Sequence, residues 1–270
     1  MSTPIPNAVA PANSGDFKGG HYYGYEADKW VPLYAPGKDF TLREARKIHA
    51  EGKVAVPSVT TYMGIMNKPQ LIKWQCENVA KACWEQKEGF GGTAEEWTDK
   101  ALATASGASR GAMDLGTRIH KADELAANGE DYEAELDVYV KAIAKARAEL
   151  GLKASHREEC MGSLRYGVGG RCDEWTDCMA IIDIKSRKSK GKKVASYETD
   201  PIQLSVYGFC KWGNAFFKQG RGIIIAVSTT EPGLTTNHIW TGPELVQAFE
   251  AFLAMTAVWR YINNCDPRKP

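Results

Sequence analysis

The sequence predicts a mixed α/β fold, with a central mixed sheet flanked by helices and a largely helical extension before it. In the first half of the chain, apolar residues recur at helical spacing, as Leu136, Val140 and Ile143 do. From residue 156 onward the period becomes that of strands, and three short segments predict an antiparallel meander. A helix, a buried apolar strand and a closing helix complete the α/β order.

The N-terminal part begins with residues 1–20, whose Pro, Ala, Ser and Gly content predicts a mobile arm. The aromatic cluster at 21–25 has two interpretations: it stacks on nucleic-acid bases, or it pins the arm to the body. Helices are predicted over 41–51 and from Pro69 to about Glu88. Thr93 and Glu96 form a capping box for the next helix.

The remaining elements follow from periodicity and from Gly and Pro signals. Helices are expected over 108–127 and 131–151, from Glu198 or Asp200 to about 218, and over 243–263, and strands over 156–166, 169–176, 179–186, 222–228 and 237–240. The last strand is expected at a sheet edge. Arg147 interrupts the apolar stripe of the 131–151 helix, so that face is expected to be only partly buried near its end.

The composition, 43% hydrophobic and 25% charged over 270 residues, is that of a globular protein. A net charge of +1 means that any nucleic-acid surface must be a local patch. No apolar run reaches the roughly 20 residues of a membrane helix, and no secretory signal is recognised. The seven cysteines contain no C-x-x-C pair, which indicates reduced thiols in the cytoplasm rather than disulfides or a zinc site.

Two carboxylates and a lysine lie on neighbouring predicted strands. Asp173 is in the second strand of the meander, and Asp183 and Lys185 are in the third. Side chains alternate along a strand, so Asp183 and Lys185 point the same way while Ile182 and Ile184 point into a core. Carboxylates can hold Mg²⁺, and an ammonium can offset phosphate charge, so this stretch predicts a Mg²⁺-dependent phosphodiester hydrolase.

A basic run follows the metal-binding stretch directly, with six Lys or Arg residues between Lys185 and Lys193. Such runs are often solvated loops, but beside a metal site the run is expected to lie against a phosphate backbone. Upstream, Ser58 and Thr60 come just before a helix, where they either bind phosphate or cap the helix. In the 108–127 helix, Gly116 and His120 share a face, and Glu124 continues it.

Four motifs in one order resemble the PD-(D/E)XK nuclease superfamily, in particular its RecB-like exonuclease branch. They are Gly116-x-x-x-His120, Gly170-x-x-Asp173, Ile181-Ile182-Asp183-Ile184-Lys185 and Gln203-x-x-x-Tyr207. The resemblance covers about residues 108–230 and implies a restriction-endonuclease-like core. Less specifically, the segment with Ser58, Thr60 and Lys68 is similar to one in phage exonucleases and the mitochondrial genome-maintenance exonuclease.

The resemblance implies the following site. Mg²⁺ or Mn²⁺ would be bound by His120, Asp173, Asp183 and the backbone carbonyl of Ile184. Lys185 would position or activate water and offset charge on the phosphate. Gln203 would orient Lys185 or contact the nucleic-acid backbone, and Tyr207 would support Gln203. Glu158 or Glu159 stands where the family often has a strand glutamate, and the register leaves both open, with Glu124 as a further acidic candidate.

The nucleic-acid contacts expected with this site are Ser58, Thr60, Lys68, Lys73, Trp74, Arg118, Arg187, Lys188 and Lys190. Three regions are implied: an arm (1–20), a helical extension or arch that contributes to a DNA channel (21–107), and the nuclease core with its closing helix (108–270). Some relatives hold an iron–sulfur cluster, but the late cysteine triplet that binds it is absent after Tyr207. No cluster is therefore expected.

The function expected from the resemblance is a metal-dependent DNA exonuclease of a phage or mobile element, serving recombination, replication or repair. Linear DNA, a single-strand annealing or binding protein and further copies of the chain are the partners considered. A structure- or sequence-selective endonuclease of the same fold is the alternative, and a non-catalytic nucleic-acid-binding module is the alternative of another class. The absence of a P-loop disfavours an ATP motor.

Overall fold

The computed structural model describes residues 20–35, 38, 40–66, 69–85, 92–153 and 156–268. The predicted arm, apart from Gly20, and Lys68 lie outside these ranges. The N-terminal elements are β1 (Tyr22–Glu26), β2 (Lys29–Pro32), α1 (Leu42–Ala50), β3 (Val56–Pro57), α2 (Val59–Met63) and α3 (Pro69–Glu85). The extension thus contains the predicted helices and, in addition, a three-stranded antiparallel sheet of order β2-β1-β3 that the sequence analysis did not predict.

The aromatic cluster at 21–25 forms β1, and Tyr22 and Tyr23 are only 3% and 2% exposed. Tyr23 packs against the main chain at Gly169, where an added Cβ would come 2.6 Å from the Tyr23 Cβ. This packing supports the interpretation in which the tyrosines fix the N-terminal sheet to the body of the protein.

The long helix α4 (Ala94–Asn128) contains 35 residues and begins at the predicted capping box of Thr93. Two separate helices were expected here, the second beginning near residue 108. The expectation of a break was wrong, because an alanine-rich sequence without proline lets the helix continue through this point. Gly129, in the left-handed conformation (φ 74°), ends the helix. A short 3₁₀ turn (Ala134–Leu136) and α5 (Asp137–Glu149) follow.

The C-terminal part of the chain builds the central sheet and covers it. Its elements are β4 (His156–Ser163), β5 (Val168–Thr176), β6 (Ala180–Arg187), β7 (Ser189–Lys190), β8 (Lys193–Val194), α6 (Asp200–Trp212), α7 (Asn214–Gln219), β9 (Arg221–Ser228), β10 (Thr235–Thr241) and α8 (Gly242–Asn263). The sheet has five strands in the order β10-β9-β6-β5-β4. β6 and β9 are parallel and the other neighbours antiparallel, which confirms the mixed sheet and the meander β4-β5-β6.

Two details differ from the prediction. The expected helix over 200–218 divides into α6 and α7, because Gly213 adopts a positive φ of 59° between them. The basic run after β6 is a small hairpin, β7 paired with β8, rather than an irregular loop.

Helices cover both faces of the central sheet. Ile182 and Ile184 of β6 pack with Ile119 of α4 and Ile143 of α5 in one core. Residues whose side chains lie on the other face of β6, such as Ile181, pack with α6 and α8 in a second core. The central strands are therefore apolar on both faces, as expected for a parallel pair buried between helix layers. None of the helices in the described ranges is long and apolar enough to cross a membrane.

Candidate functional site

Asp183 and Lys185 lie on the same face of β6, as the strand period predicts. Asp183 is only 1% exposed, and its Oδ2 is 2.6 Å from the Lys185 Nζ. Burial, together with the neighbouring charge of Asp173, raises the pKa of Asp183 to about 6, although Lys185 opposes the shift. Burial alone would lower the pKa of Lys185, but the charges of Asp183 and Asp173 outweigh it and the pKa is raised. Lys185 is therefore a protonated ammonium at neutral pH.

Asp173 lies opposite Asp183, at the point where β5 and β6 separate. The last backbone pair between these strands is Glu174 with Ile182, so Asp173 and Asp183 are the next residues in register. Instead of a backbone carbonyl, the Asp173 Oδ2 accepts the N–H of Ile184 at 3.0 Å. The sheet thus opens between two carboxylates, and the Asp173 side chain satisfies one of the freed backbone donors.

His120 comes from α4 and joins Asp173. Its Nδ1 is 3.5 Å from the Asp173 Oδ2, and both side chains are partly exposed. One turn earlier on α4, Gly116 faces β6, since an added Cβ would lie 3.7 Å from the Ser186 Cβ. This is ordinary van der Waals contact, so the helix comes near the strand at Gly116 without requiring a glycine there.

Gln203 and Tyr207 of α6 support the other side of Asp183. The Gln203 Nε2 donates to the Asp183 Oδ1 and to the Tyr207 hydroxyl, each at 3.2 Å. Gln203 thus contacts Asp183, the carboxylate that is paired with Lys185. Tyr207 needs Gly170 of β5, because a Cβ there would lie 2.4 Å from the Tyr207 Cε1. The glycine of one motif therefore makes room for the tyrosine of another.

The oxygen-rich donor set is of the type that Mg²⁺ or Mn²⁺ prefers, with one imidazole beside it. Ile184 lines the same pocket as His120 and Asp173. Among the residues described, no three His, Cys, Asp or Glu side chains form a ready metal-binding group as they stand. Asp173 is engaged with Ile184 and Asp183 with Lys185, so binding a cation would require these side chains to turn. Burial raises the pKa of Asp183 most and the neighbouring charge of Asp173 adds to it, and a cation would offset this second effect.

The two alternatives for the strand glutamate separate clearly. Glu158 lines the pocket with His120 and Asp173, and burial followed by the charge of Asp173 raises its pKa. Glu159 points elsewhere and accepts from Lys211 at 3.0 Å. Glu124 also lines the pocket and is paired with Lys121 at 3.0 Å. Glu158 is paired as well, with Arg171 at 2.9 Å, but it is near enough to Asp173 to be affected by its charge.

The upstream candidates are placed differently from the site. Ser58 is 3% exposed and caps α2 by accepting the N–H of Thr61, which favours its capping interpretation over phosphate binding. Thr60 is exposed, and its hydroxyl lies 2.9 Å from that of Ser58. On α3, Lys73 is exposed and faces Glu77 at 3.9 Å, while Trp74 is partly buried.

The basic candidates fall into two groups. Arg118 is bound by Glu133 and Glu135. Arg187 is 10% exposed, donates two bonds to Asp200 at 2.8 and 2.7 Å, and lies over the Tyr197 ring. Both guanidinium groups are thus engaged by carboxylates of the protein itself, and their contact with nucleic acid stays a prediction. Lys188 and Lys190, together with Lys192 and Lys193, are exposed on the β7–β8 hairpin.

Sequence reasoning missed a buried group beside the pocket, the ion cluster of Asp123, Arg147, Arg157 and Glu174. Arg147 donates to both oxygens of Asp123 at 2.7 and 2.6 Å and to Glu174 at 2.8 Å. Arg157 donates to Asp123 at 2.8 Å. Arg147 itself is buried, at 8% exposed, because two carboxylates neutralise it, whereas Leu150 at the end of the same face is only partly buried, as expected. An arginine within an apolar stripe was the signal in the sequence.

Comparisons with known proteins do not assign this chain to a family. No family model and no curated protein matches the chain. A crystal structure of a protein from Eubacterium rectale, named as a candidate exonuclease, is similar with 16% identity and a TM-score of 0.42, over 57% of this chain and 67% of that one. This similarity is too distant to carry an argument about activity.

Proposed function

We propose that this protein is a metal-dependent deoxyribonuclease, and that it acts as an exonuclease. One observation carries the proposal: Asp173 and Asp183 face each other where the sheet opens, with Lys185 2.6 Å from Asp183 and His120 3.5 Å from Asp173. Two carboxylates and an imidazole around one opening can bind a cation that activates water, and an ammonium beside them can offset charge on a phosphate. The resemblance to phage exonucleases extends the proposal to DNA recombination, replication or repair.

The ligands in this proposal are Asp173, Asp183, His120 and the Ile184 carbonyl, with Mg²⁺ or Mn²⁺ as the cation. A bound cation would stabilise charge on the phosphate and make water a better nucleophile. Phosphoryl transfer depends mainly on positioning and charge stabilisation, which is what fixed side chains on a rigid sheet provide.

Lys185 has a more limited role than a general base. Its raised pKa keeps it protonated, so it holds a proton rather than accepting one at neutral pH. The ammonium is positioned to donate a hydrogen bond and to offset negative charge on a phosphate oxygen. Gln203 fixes the Asp183 carboxylate through its 3.2 Å bond and leaves the other oxygen to Lys185.

The substrate's path is proposed from the charges near the site. The exposed lysines of the β7–β8 hairpin directly follow β6, so they can contact a phosphate backbone that reaches Lys185. These contacts carry no base information, which suits an enzyme that degrades DNA of any sequence.

The test is digestion of end-labelled linear DNA and of closed circular DNA with Mg²⁺, with Mn²⁺ or with EDTA. We expect loss of the linear DNA alone, dependent on the metal and abolished by Asp183→Ala and by Lys185→Ala. Lys145→Ala, which removes an exposed lysine of α5, is the control and should digest DNA like the wild type. Nicking of the closed circular DNA would show that the protein is an endonuclease and not an exonuclease. No cleavage by folded wild-type protein with either metal would reject the enzyme.

A further inference from the structure

The buried ion cluster joins the two elements that carry His120 and Asp173. Asp123 is on α4, three residues after His120, and Glu174 on β5 directly follows Asp173. Arg147 of α5 bonds to both carboxylates. A single guanidinium thus holds α4 to β5 within one helical turn of His120 and one residue of Asp173.

We propose that Arg147 is a positioning residue that keeps His120 and Asp173 together for cation binding. This inference rests on the proposed function. The planar guanidinium donates in fixed directions, so it sets the distance and the angle between the two carboxylates it joins. Arg157, which precedes Glu158 on β4, donates to the same Asp123 oxygen that Arg147 contacts at 2.6 Å.

The cluster also borders the pocket itself. Asp123, Arg147 and Arg157 line the pocket that contains His120 and Asp173. Burial by itself would raise the pKa of Asp123, but Arg147 and Arg157 overcome this and lower it, so the carboxylate stays ionised and bonded. The contact between Arg147 and Asp123 is therefore ionic at neutral pH, whereas burial raises the pKa of Glu174 at the other end of the guanidinium.

Stability alone is a weak explanation for this cluster. Removing charges from water is costly, and buried ion pairs replaced by well-packed apolar groups are often no less stable. A buried bidentate arginine instead specifies one arrangement of the elements it joins. In metal sites, groups that orient the ligands commonly change the metal affinity by about 10- to 100-fold when they are mutated.

A matched control separates positioning from stability. Arg187 and Arg147 are each 10% exposed in their side chains, and each forms a two-bond pair with an aspartate. Arg187 joins the end of β6 to the start of α6 and contacts neither α4 nor His120 in any bond of the described residues. Arg147→Lys and Arg187→Lys should thus lower the free energy of unfolding by similar amounts. Only Arg147→Lys should change the position of His120.

The experiment compares the two variants by urea unfolding, by Mn²⁺ binding measured with electron paramagnetic resonance, and by imidazole NMR signals of the metal-free proteins. We expect similar unfolding midpoints. Arg147→Lys should weaken Mn²⁺ binding about tenfold or more and shift the His120 signals, while Arg187→Lys should change Mn²⁺ binding by less than about threefold. In a His120→Ala background, Arg147→Lys should weaken Mn²⁺ binding by much less than it does alone.

Equal loss of Mn²⁺ affinity in both variants, or unchanged His120 signals in Arg147→Lys, would overturn the inference. If Arg147→Lys does not fold, Asp123→Asn against Asp200→Asn repeats the same comparison. Failure of the proposed function would look different: Asp183→Ala would bind Mn²⁺ like the wild type, while the His120 signals of the metal-free protein would still report on positioning.

Discussion

Replacement of Gly170 by alanine should destabilise the protein and displace Tyr207. The added Cβ would lie 2.4 Å from the Tyr207 Cε1 and 2.9 Å from its hydroxyl oxygen, both shorter than nonbonded contacts allow. Tyr207 is 4% exposed and packed in the core between the sheet and α6, so it cannot move into solvent. Overpacking of this kind costs about 1–3 kcal/mol.

Gly116→Ala is the matched control, because Gly116 is the other motif glycine. Its added Cβ would meet the Ser186 Cβ at 3.7 Å, which is ordinary contact. Since alanine is favoured over glycine in a helix by about 1 kcal/mol, this variant should be as stable as the wild type or more so. The two glycines are thus expected to respond with opposite sign.

Both variants are unfolded by urea and by heat. In a protein near this size, a change of 1 kcal/mol in the free energy of unfolding shifts the melting temperature by about 2–4 °C. Tyr207→Leu provides a double-mutant cycle, since it removes the ring that the Cβ would meet. In that background Gly170→Ala should cost less than about 1 kcal/mol. The reasoning is refuted if Gly170→Ala unfolds like the wild type, or if its cost is unchanged when the ring is absent.

Three further predictions concern pH and charge. The pKa of Asp183 is raised to about 6, and protons compete with a cation for this carboxylate, so Mn²⁺ affinity should fall as the pH drops below about 6. Repeating the titration with the His120→Ala variant removes the contribution of the imidazole. Mn²⁺ affinity that does not change with pH in that variant would contradict the role of Asp183 as a ligand. Lys190→Ala should lower the salt dependence of DNA binding by about one phosphate contact without changing stability. Arg187→Met should instead leave the buried Asp200 without the charge of Arg187 while it keeps the N–H of Tyr197, with a loss of about 3–5 kcal/mol in urea unfolding. Equal effects of these two substitutions on the salt slope would contradict the distinction.

Much of the sheet was predictable because strand and helix periods are local properties of the sequence. The alternation around Asp183 and Lys185 predicts which side chains share a face, and β6 has them so. The order of motifs predicts that α4, β5, β6 and α6 meet at one place. That Gly170 accommodates Tyr207 could not be predicted, since the two residues approach only in the folded protein.

Other features were missed because composition does not identify partners. Residues 22–57 contain short strands, and β1 pairs with β3 from a distant part of this segment. In the sequence, the aromatic cluster at 21–25 was therefore the only indication of this sheet. The break expected between two helices near 108 was wrong, because glycines within an alanine-rich segment do not necessarily end a helix. Glu158 and Glu159 are adjacent acids, and only the strand's local conformation places the first against Asp173 and the second near Lys211.

The sequence by itself determined the α/β class, the strands that carry Asp173, Asp183 and Lys185, and the helices that carry His120 and Gln203. These follow from periodicity and spacing along the chain. Only the tertiary structure decided which charges are available. Arg187 and Lys190 belong to the same basic run, yet Arg187 is paired with Asp200 and Lys190 is exposed. The physical reason is that the electrostatic role of a charged side chain depends on what surrounds it in space, and the chain order does not contain that information.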